Sequence, residues 1–352
     1  MFRSTIVTLA AVVLTSPLGA QGAGDHVPSD VTFNLRRSFL EELMTTGSTG
    51  HSVGARWKET LRMDQHSAVH QLASDCEIHV GAKVPNNRVI AAPPGIVVEP
   101  PNVCKSRVPQ IRQTGSISTA WTSYFDDKVT GQTCDVIGFP RIFSEHAAGG
   151  GTSGSNPDHV VEIHPALSMS CNGEMVNYLP LLKVYPGMRA ISDVSASACL
   201  AERKLSVRQK QTGSVPIYEF LEEGAKGSGG RCGNFIVVEA NIGKEYLREL
   251  SNGGDHVALA RVWIGEDGPY PLKIYTYKGT PEDGAIATLL ASTDEYAGIN
   301  LSLHGVLTYD YFSIVQAVQD SSFNWLPPAA LRDYREVKSP LALVVFGEEP
   351  KP

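Results

Sequence analysis

The chain has 352 residues, 42% of them hydrophobic, with 30 Lys and Arg against 37 Asp and Glu for a formal net charge of −7. That hydrophobic content argues against disorder, and the acidic balance against a surface for a phosphate backbone, so bulk nucleic-acid binding is disfavoured. After removal of a leader, ~330 residues suggest two domains.

Residues 1–20 read as a signal peptide. Arg3 supplies the positive start, Ile6 to Leu14 an apolar stretch too short to span a bilayer, and Pro17-Leu18-Gly19-Ala20 a small-residue exit, with cleavage after Ala20. No later run approaches the ~20 apolar residues of a membrane helix. A secreted or periplasmic location follows, with no transmembrane segment in the mature chain.

Residues 21–50 hold an amphipathic helix and linker: Ser29 or Asp30 caps it, Leu35, Phe39, Leu40, Leu43 and Met44 recur at three and four spacing, and Gly47 suits its stop. Residues 51–172 read as strand, strand, strand, helix, strand, strand. The strands are Gly54 to Met63, Asp75 to Val84, Arg88 to Glu99 (interrupted by Pro93-Pro94), Thr133 to Phe143 and His159 to Cys171. The helix lies between Arg107 and Phe125. This is the element order of an OB-type five-stranded barrel. Ala147 to Pro157 is a glycine-rich loop between the last two strands, where such barrels border a ligand cleft.

Residues 173–325 form a second β-rich domain, and 326–352 a C-terminal extension. Phe235 to Ala240 is a strand, His256 to Ile264 joins Pro271 to Tyr277 through a longer hairpin loop, Thr280-Pro281-Glu282-Asp283 starts a helix, and Ile299 to Phe312 alternates again. The fold class is mainly β (α+β). Two echoes link the halves: Asp75 to Val84 with Asp255 to Trp263, and Val136-Ile137-Gly138-Phe139 with Leu303-His304-Gly305-Val306. The echoes raise a duplicated barrel, but short apolar strands resemble one another by chance, so duplication is disfavoured and the second domain is left without an assigned topology.

Six cysteines in an exported chain with no Cys-x-x-Cys pair favour disulfides over metal or redox use. The domain split leaves Cys199 to pair with Cys232. Among the first four, Cys76 with Cys104 and Cys134 with Cys171 is the favoured pairing, the others remaining open.

The tripeptide Glu-Ile-His occurs at Glu77-Ile78-His79 and again at Glu162-Ile163-His164. On a strand, residues two apart share a face, so each copy sets a carboxylate beside an imidazole. If the copies form a site, Asp75, Glu77, His79, His146, Glu162 and His164 must cluster as ligand contacts. His79, His146, Glu162 and His164 are then the candidate metal ligands. The plain alternative is that each glutamate orients its own histidine. His66 and His70 read as part of a polar connector, and Trp57, Trp121, Tyr124, Phe139 and Phe143 as core rather than as a stacking platform for bases or sugars. No Gly-x-Ser-x-Gly or His-Glu-x-x-His motif appears.

Asp75 to Met169 resembles a family of secreted bacterial OB-fold-like proteins of unassigned activity. Its pattern is an Asp-x-x-x-His strand, a Pro-x-Cys turn and helix, a Gly-Val-Gly-Phe-Phe-Asp-x-x-His-Gly-Gln strand and loop, and an Ile-Glu-Leu-His-Pro-Val end. The matching stretches are Asp75-Cys76-Glu77-Ile78-His79, Pro101-Asn102-Val103-Cys104, Val136 to His146 and Val161-Glu162-Ile163-His164-Pro165-Ala166. Ile142-Phe143-Ser144 replaces the aromatic-aspartate pair, and His146-Ala147-Ala148 the His-Gly-Gln turn. The resemblance implies an exported OB-like domain and no particular reaction.

These readings lead to an exported binding or assembly protein that takes a small polymer, a peptide or an envelope protein in the barrel cleft. A metal-dependent hydrolase using the Glu-Ile-His strands and a structural envelope component are the alternatives. No cofactor is expected beyond a divalent metal at those strands.

Overall fold

The computed structural model describes residues 31–44, 52–53, 55–85, 90–92, 95–112, 115–147, 154–212, 215–223, 232, 235–250, 254–319 and 334–349. The expected signal segment, Ser29, Asp30, Gly47, Pro93-Pro94 and most of the glycine-rich loop lie outside them. Among the described residues no helix is long and apolar enough to cross a membrane.

The first described element is a strand, β1 (Val31–Arg36), followed by a helix, α1 (Arg37–Met44). This corrects the expectation of one helix through Leu35. The six residues of β1 pair antiparallel with Ile217 to Glu222, and Phe33 stacks on Phe220 at 4.8 Å. Long-range pairing therefore overrides the local helical spacing.

The chain continues through β2 (Ser52–Val53), β3 (Arg56–His66), β4 (Val80–Lys83), β5 (Ile90–Ala92), β6 (Gly95–Val98), α2 (Ile117–Tyr124), β7 (Thr133–Ile142), β8 (His159–Cys171) and β9 (Glu174–Asn177). Strands β3, β4, β6, β8 and β7 pair in that order, and β7 returns to β3 to close a five-stranded barrel. β6 and β8 run parallel, and the helix falls between the third and fourth strands. Trp57, Leu61 and Met63 alternate into its core from β3. Two local expectations are corrected. The helix begins only at Ile117, because Gly115 takes φ +64 and the Ser116 hydroxyl accepts from Thr119 N. Asp75 to His79 lies outside β4: Cys76 has φ +62, which breaks the strand.

The remaining elements are α3 (Asp193–Glu202), β10 (Lys204–Thr212), β11 (Val215–Glu223), β12 (Ile236–Gly243), β13 (Leu247–Glu249), β14 (His256–Ile264), β15 (Asp267–Thr276), α4 (Pro281–Ala291), β16 (Gly298–Tyr309), α5 (Tyr311–Gln319), β17 (Arg335–Glu336) and β18 (Leu341–Glu348). Strands β12, β14, β15, β18 and β16 close a second five-stranded barrel by the same circuit, again with a parallel third-and-fifth pair and a helix after the third strand. The last strand lies within the stretch expected to be an extension. It is buried from Leu341 to Gly347 because it completes the barrel. The expected longer hairpin loop is a tight turn, with Ile264 paired to Asp267 and Gly265 at φ +57.

Both sequence echoes fall on equivalent strands. β4 and β14 are second strands, and β7 and β16 are fourth strands. Gly138 and Gly305 each sit at a register shift where a Cβ would come within 2.4 Å of a fifth-strand carbonyl, so neither position tolerates a side chain.

The third sheet, in the order β17, β10, β11, β1, β5, gathers strands from both ends of the chain and from both barrels' connections. The barrels meet where β7 passes β16. Arg141 Nε donates to Leu307 O at 2.8 Å, Ile142 N donates to Thr308 Oγ1 at 3.1 Å, and the Phe139 and Tyr275 rings lie 5.2 Å apart. The three disulfides join Cys76 to Cys104, Cys134 to Cys171 and Cys199 to Cys232. Such bonds suit an oxidising compartment.

A bidentate ion pair also spans the barrels: Arg56 Nε and Nη2 donate to Asp255 Oδ2 and Oδ1, each at 2.7 Å. The Asp255 side chain is 1% exposed, so removing its partner strands a buried charge. Arg56→Ala is expected to destabilise the fold by ~3 kcal/mol, read as a lower urea midpoint. An unchanged midpoint would mean that the pair holds nothing together.

Candidate functional site

A polar pocket of about 60 Å³ lies between the barrels, and all six residues expected to cluster line it. Asp75, Glu77 and His79 come from the chain between β3 and β4, His146 from the loop between β7 and β8, and Glu162 and His164 from β8. Glu99, just past β6, and Arg141 on β7 join them. Phe235 and Val306 close the pocket from the second barrel.

The pocket has a buried floor and a half-buried rim. On the floor, Arg141 and Glu162 are direct cross-strand partners, and the guanidinium holds the carboxylate in a buried ion pair. The other Glu162 oxygen lies 2.9 Å from His159 Nε2, while His159 Nδ1 lies 2.6 Å from Pro157 O. One step along β8, His164 Nε2 is 3.0 Å from Glu77 Oε1. Its Nδ1 is 2.6 Å from Glu99 Oε2 and 3.5 Å from Glu162 Oε2, so the ring is paired with carboxylates on both sides. The Phe346 ring stands edge-on to the imidazole at 5.4 Å. Glu77, Glu99 and His164 form a fully buried group whose ligand atoms lie within 4.8 Å of one another.

Burial dominates the electrostatics. It raises the Glu77 carboxyl to about 8, with His164 opposing the shift. Burial also works against ionising Glu99 and Glu162. The positive charge of His164 and His79 nonetheless brings Glu99 down to about 2, and Arg141 with His159 and His164 holds Glu162 well below the ordinary range. Burial works against a charged His164 too, yet Glu77 and Glu99 on its two sides raise it well above its usual value. Three buried carboxylates thus face one permanent cation, Arg141. Two excess negative charges remain unless protons or another cation neutralise them, and charge left uncompensated away from water costs several kcal/mol.

On the rim, His70 Nδ1 lies 2.7 Å from Asp75 Oδ1, and His79 Nε2 lies 3.4 Å from Glu99 Oε1. His146 stacks on His159 at 4.9 Å between centroids. Of the four expected metal ligands, His164 belongs to the buried group and His79 to the rim. Glu162 is engaged by Arg141 and His159, and His146 lies in neither set. Glu99, Arg141, His159 and His70 were not singled out as site residues. Arg141 had a visible signal, as a lone charge within the apolar run Val136 to Phe143. His66 is set apart, with Nε2 2.9 Å from Asp126. Trp57, Trp121, Tyr124, Phe139 and Phe143 are all buried, so none offers a stacking surface.

No protein-family model matches this chain, and no match was found among curated proteins or solved structures.

The shifts give a pH signature to the metal-free protein. Glu77 and His164 have folded values above their ordinary 4.5 and 6.5, so their contribution is complete at low pH and fades as pH rises through the folded values. Glu99 and Glu162 are lowered, and their contribution fades as pH falls below 4.5. The urea midpoint is therefore expected to be highest near pH 5–6 and to decline towards pH 9. Glu77→Gln should flatten that decline up to pH 8. A wild-type midpoint constant from pH 6 to 9 would contradict this.

Proposed function

We propose that this protein works outside the cytoplasm as a divalent-cation-binding protein, with Glu77, Glu99 and His164 as ligands at the barrel junction. The carrying observation is the buried group itself: two carboxylates and an imidazole whose donor atoms lie within 4.8 Å of one another. A divalent ion would take the place of the protons on Glu77 and His164, and the ligand types suit zinc or manganese. Both ring nitrogens of His164 face carboxylate oxygens, at 3.0 and 2.6 Å, so imidazole and carboxylate donors lie within reach of one ion.

Size supports the same reading. A cavity of about 60 Å³ suits an ion with a water or two, whereas pockets for organic ligands run to ~300–1,000 Å³. A sugar or peptide would reach this site only at its rim, on the loops between first and second and between fourth and fifth strands that OB barrels use for ligands. The signal-like leader and the three disulfides support export to the periplasm or beyond.

Metal-dependent hydrolysis is the second reading, favoured by the ligand count. Three protein ligands leave a tetrahedral ion one position for substrate or water, and His79 and His146 stand at the rim to move a proton.

Protein stripped with a chelator is expected to take up Zn²⁺ or Mn²⁺ at pH 7.5, measured by equilibrium dialysis. His164→Ala should weaken that uptake at least ~100-fold, whereas the fold, checked by circular dichroism, persists. Protons on Glu77 and His164 compete with the ion, so affinity should rise from pH 6 to pH 8. Absence of uptake at micromolar free metal would sink the reading.

A further inference from the structure

The rim carries a second set of ligands. His70, Asp75 and His79 have donor atoms within 4.8 Å of one another and are half-buried, with side chains 28%, 16% and 16% exposed. The two imidazoles stand 4.5 Å apart at 66°, both close to the Asp75 carboxylate side of the pocket.

Their placement is built by the backbone. Ser67 to His70 runs against Glu77 to His79, with His70 N donating to Glu77 O and Ser67 N to His79 O, each at 2.8 Å. The Ser67 hydroxyl accepts from His79 N at 3.1 Å. Asp75 sits on the turn between these segments, closed by Cys76 N donating to Gln71 O and tied to the body by the Cys76–Cys104 disulfide. Cys76 adopts φ +62, a conformation a side-chain-bearing residue rarely takes, and Asp75 and Glu77 flank it. That bend sends Asp75 to the rim group and Glu77 to the buried group.

Glu99 links the two groups. Its Oε2 lies 2.6 Å from His164 Nδ1 on the floor, and its Oε1 lies 3.4 Å from His79 Nε2 on the rim. One carboxylate thus turns an oxygen to each group, as a bridging ligand does in a two-metal site.

We propose that His70, Asp75 and His79 form a second divalent-cation site, joined through Glu99 to the buried one to make a two-metal centre. The rim set stands on its own geometry, and only the bridging role of Glu99 rests on the reading of the buried group. Two imidazoles and one carboxylate are a zinc ligand set, with solvent completing the shell on the open side. At metal–ligand distances of ~2.0–2.2 Å the donors of a tetrahedral ion lie about 3.4 Å apart. The 2.7 Å contact between His70 and Asp75 therefore opens by under ~1 Å on binding, a shift within reach of half-exposed side chains.

The test is zinc stoichiometry of the full mature protein, stripped with a chelator, dialysed against buffered Zn²⁺ and counted by mass spectrometry. Two ions per chain are expected. Asp75→Asn, nearly isosteric and so compatible with the turn, and His70→Ala should each lower the count to one, and His164→Ala should remove the other ion. Glu99→Gln should weaken both. One ion per chain, lost in His164→Ala and kept in Asp75→Asn and His70→Ala, overturns the rim site and leaves the buried site standing. One ion lost in the rim variants and kept in His164→Ala does the reverse, supporting the rim site alone. No bound zinc overturns both.

Discussion

The second barrel packs against the outer face of β7 and β8, and the character of the site follows from that contact. On a lone barrel, Arg141, Glu162 and His164 would face water, where an ion pair contributes little. Covered by Phe235, Val306 and Phe346, they are desolvated, and each must find a partner. Arg141 is held from both sides, donating to Leu307 O of the second barrel and pairing with Glu162 of its own. His164 is left between two carboxylates. The need to balance those carboxylates, by protons or by another cation, exists because the barrels are together.

Two barrels of one topology divide the work. The first supplies the chemistry, since every acid, imidazole and guanidinium lining the pocket belongs to it. The second supplies apolar wall and exclusion of water. The equivalent glycines, Gly138 and Gly305, show that both barrels draw their fourth and fifth strands together in the same way. In the second barrel the neighbour of that glycine, His304, turns to Glu349 at 2.9 Å, and burial lowers its pKa. No group of three or more potential metal ligands forms on that barrel among the described residues.

Much of this was legible in the sequence where one face of a strand is apolar and unbroken. β8 and β14 begin and end where the residue pattern places them, and the domain split alone left Cys199 to Cys232, whereas Cys76–Cys104 and Cys134–Cys171 were only the favoured pairing of the other four. The Glu-Ile-His copies pointed to the pocket, although the first is an irregular segment rather than a strand. It keeps the alternation because its backbone bonds to Ser67 and His70 at every second residue. What escaped was set by tertiary contact. The helix-like spacing around Leu35 begins in a strand because β11 supplies a partner. Glu99 looks like a polar stop after Gly95-Ile96-Val97-Val98, and only the parallel pairing of β6 with β8 brings it to His164. His70 looks like part of a linker until the turn at Cys76 folds Asp75 onto it. Closure of the second barrel was hidden because its last strand follows a long interruption after α5.

Anomalous diffraction at the zinc edge, from crystals grown with the metal, tests the central claim most directly. The account predicts a peak among Glu77, Glu99 and His164, with His164 Nδ1 among its ligands at ~2.0–2.1 Å. A map with no peak there, and with His164 still wedged between two carboxylates, would contradict it: the buried charges would then be balanced by protons alone, and the cluster would serve only to join the barrels.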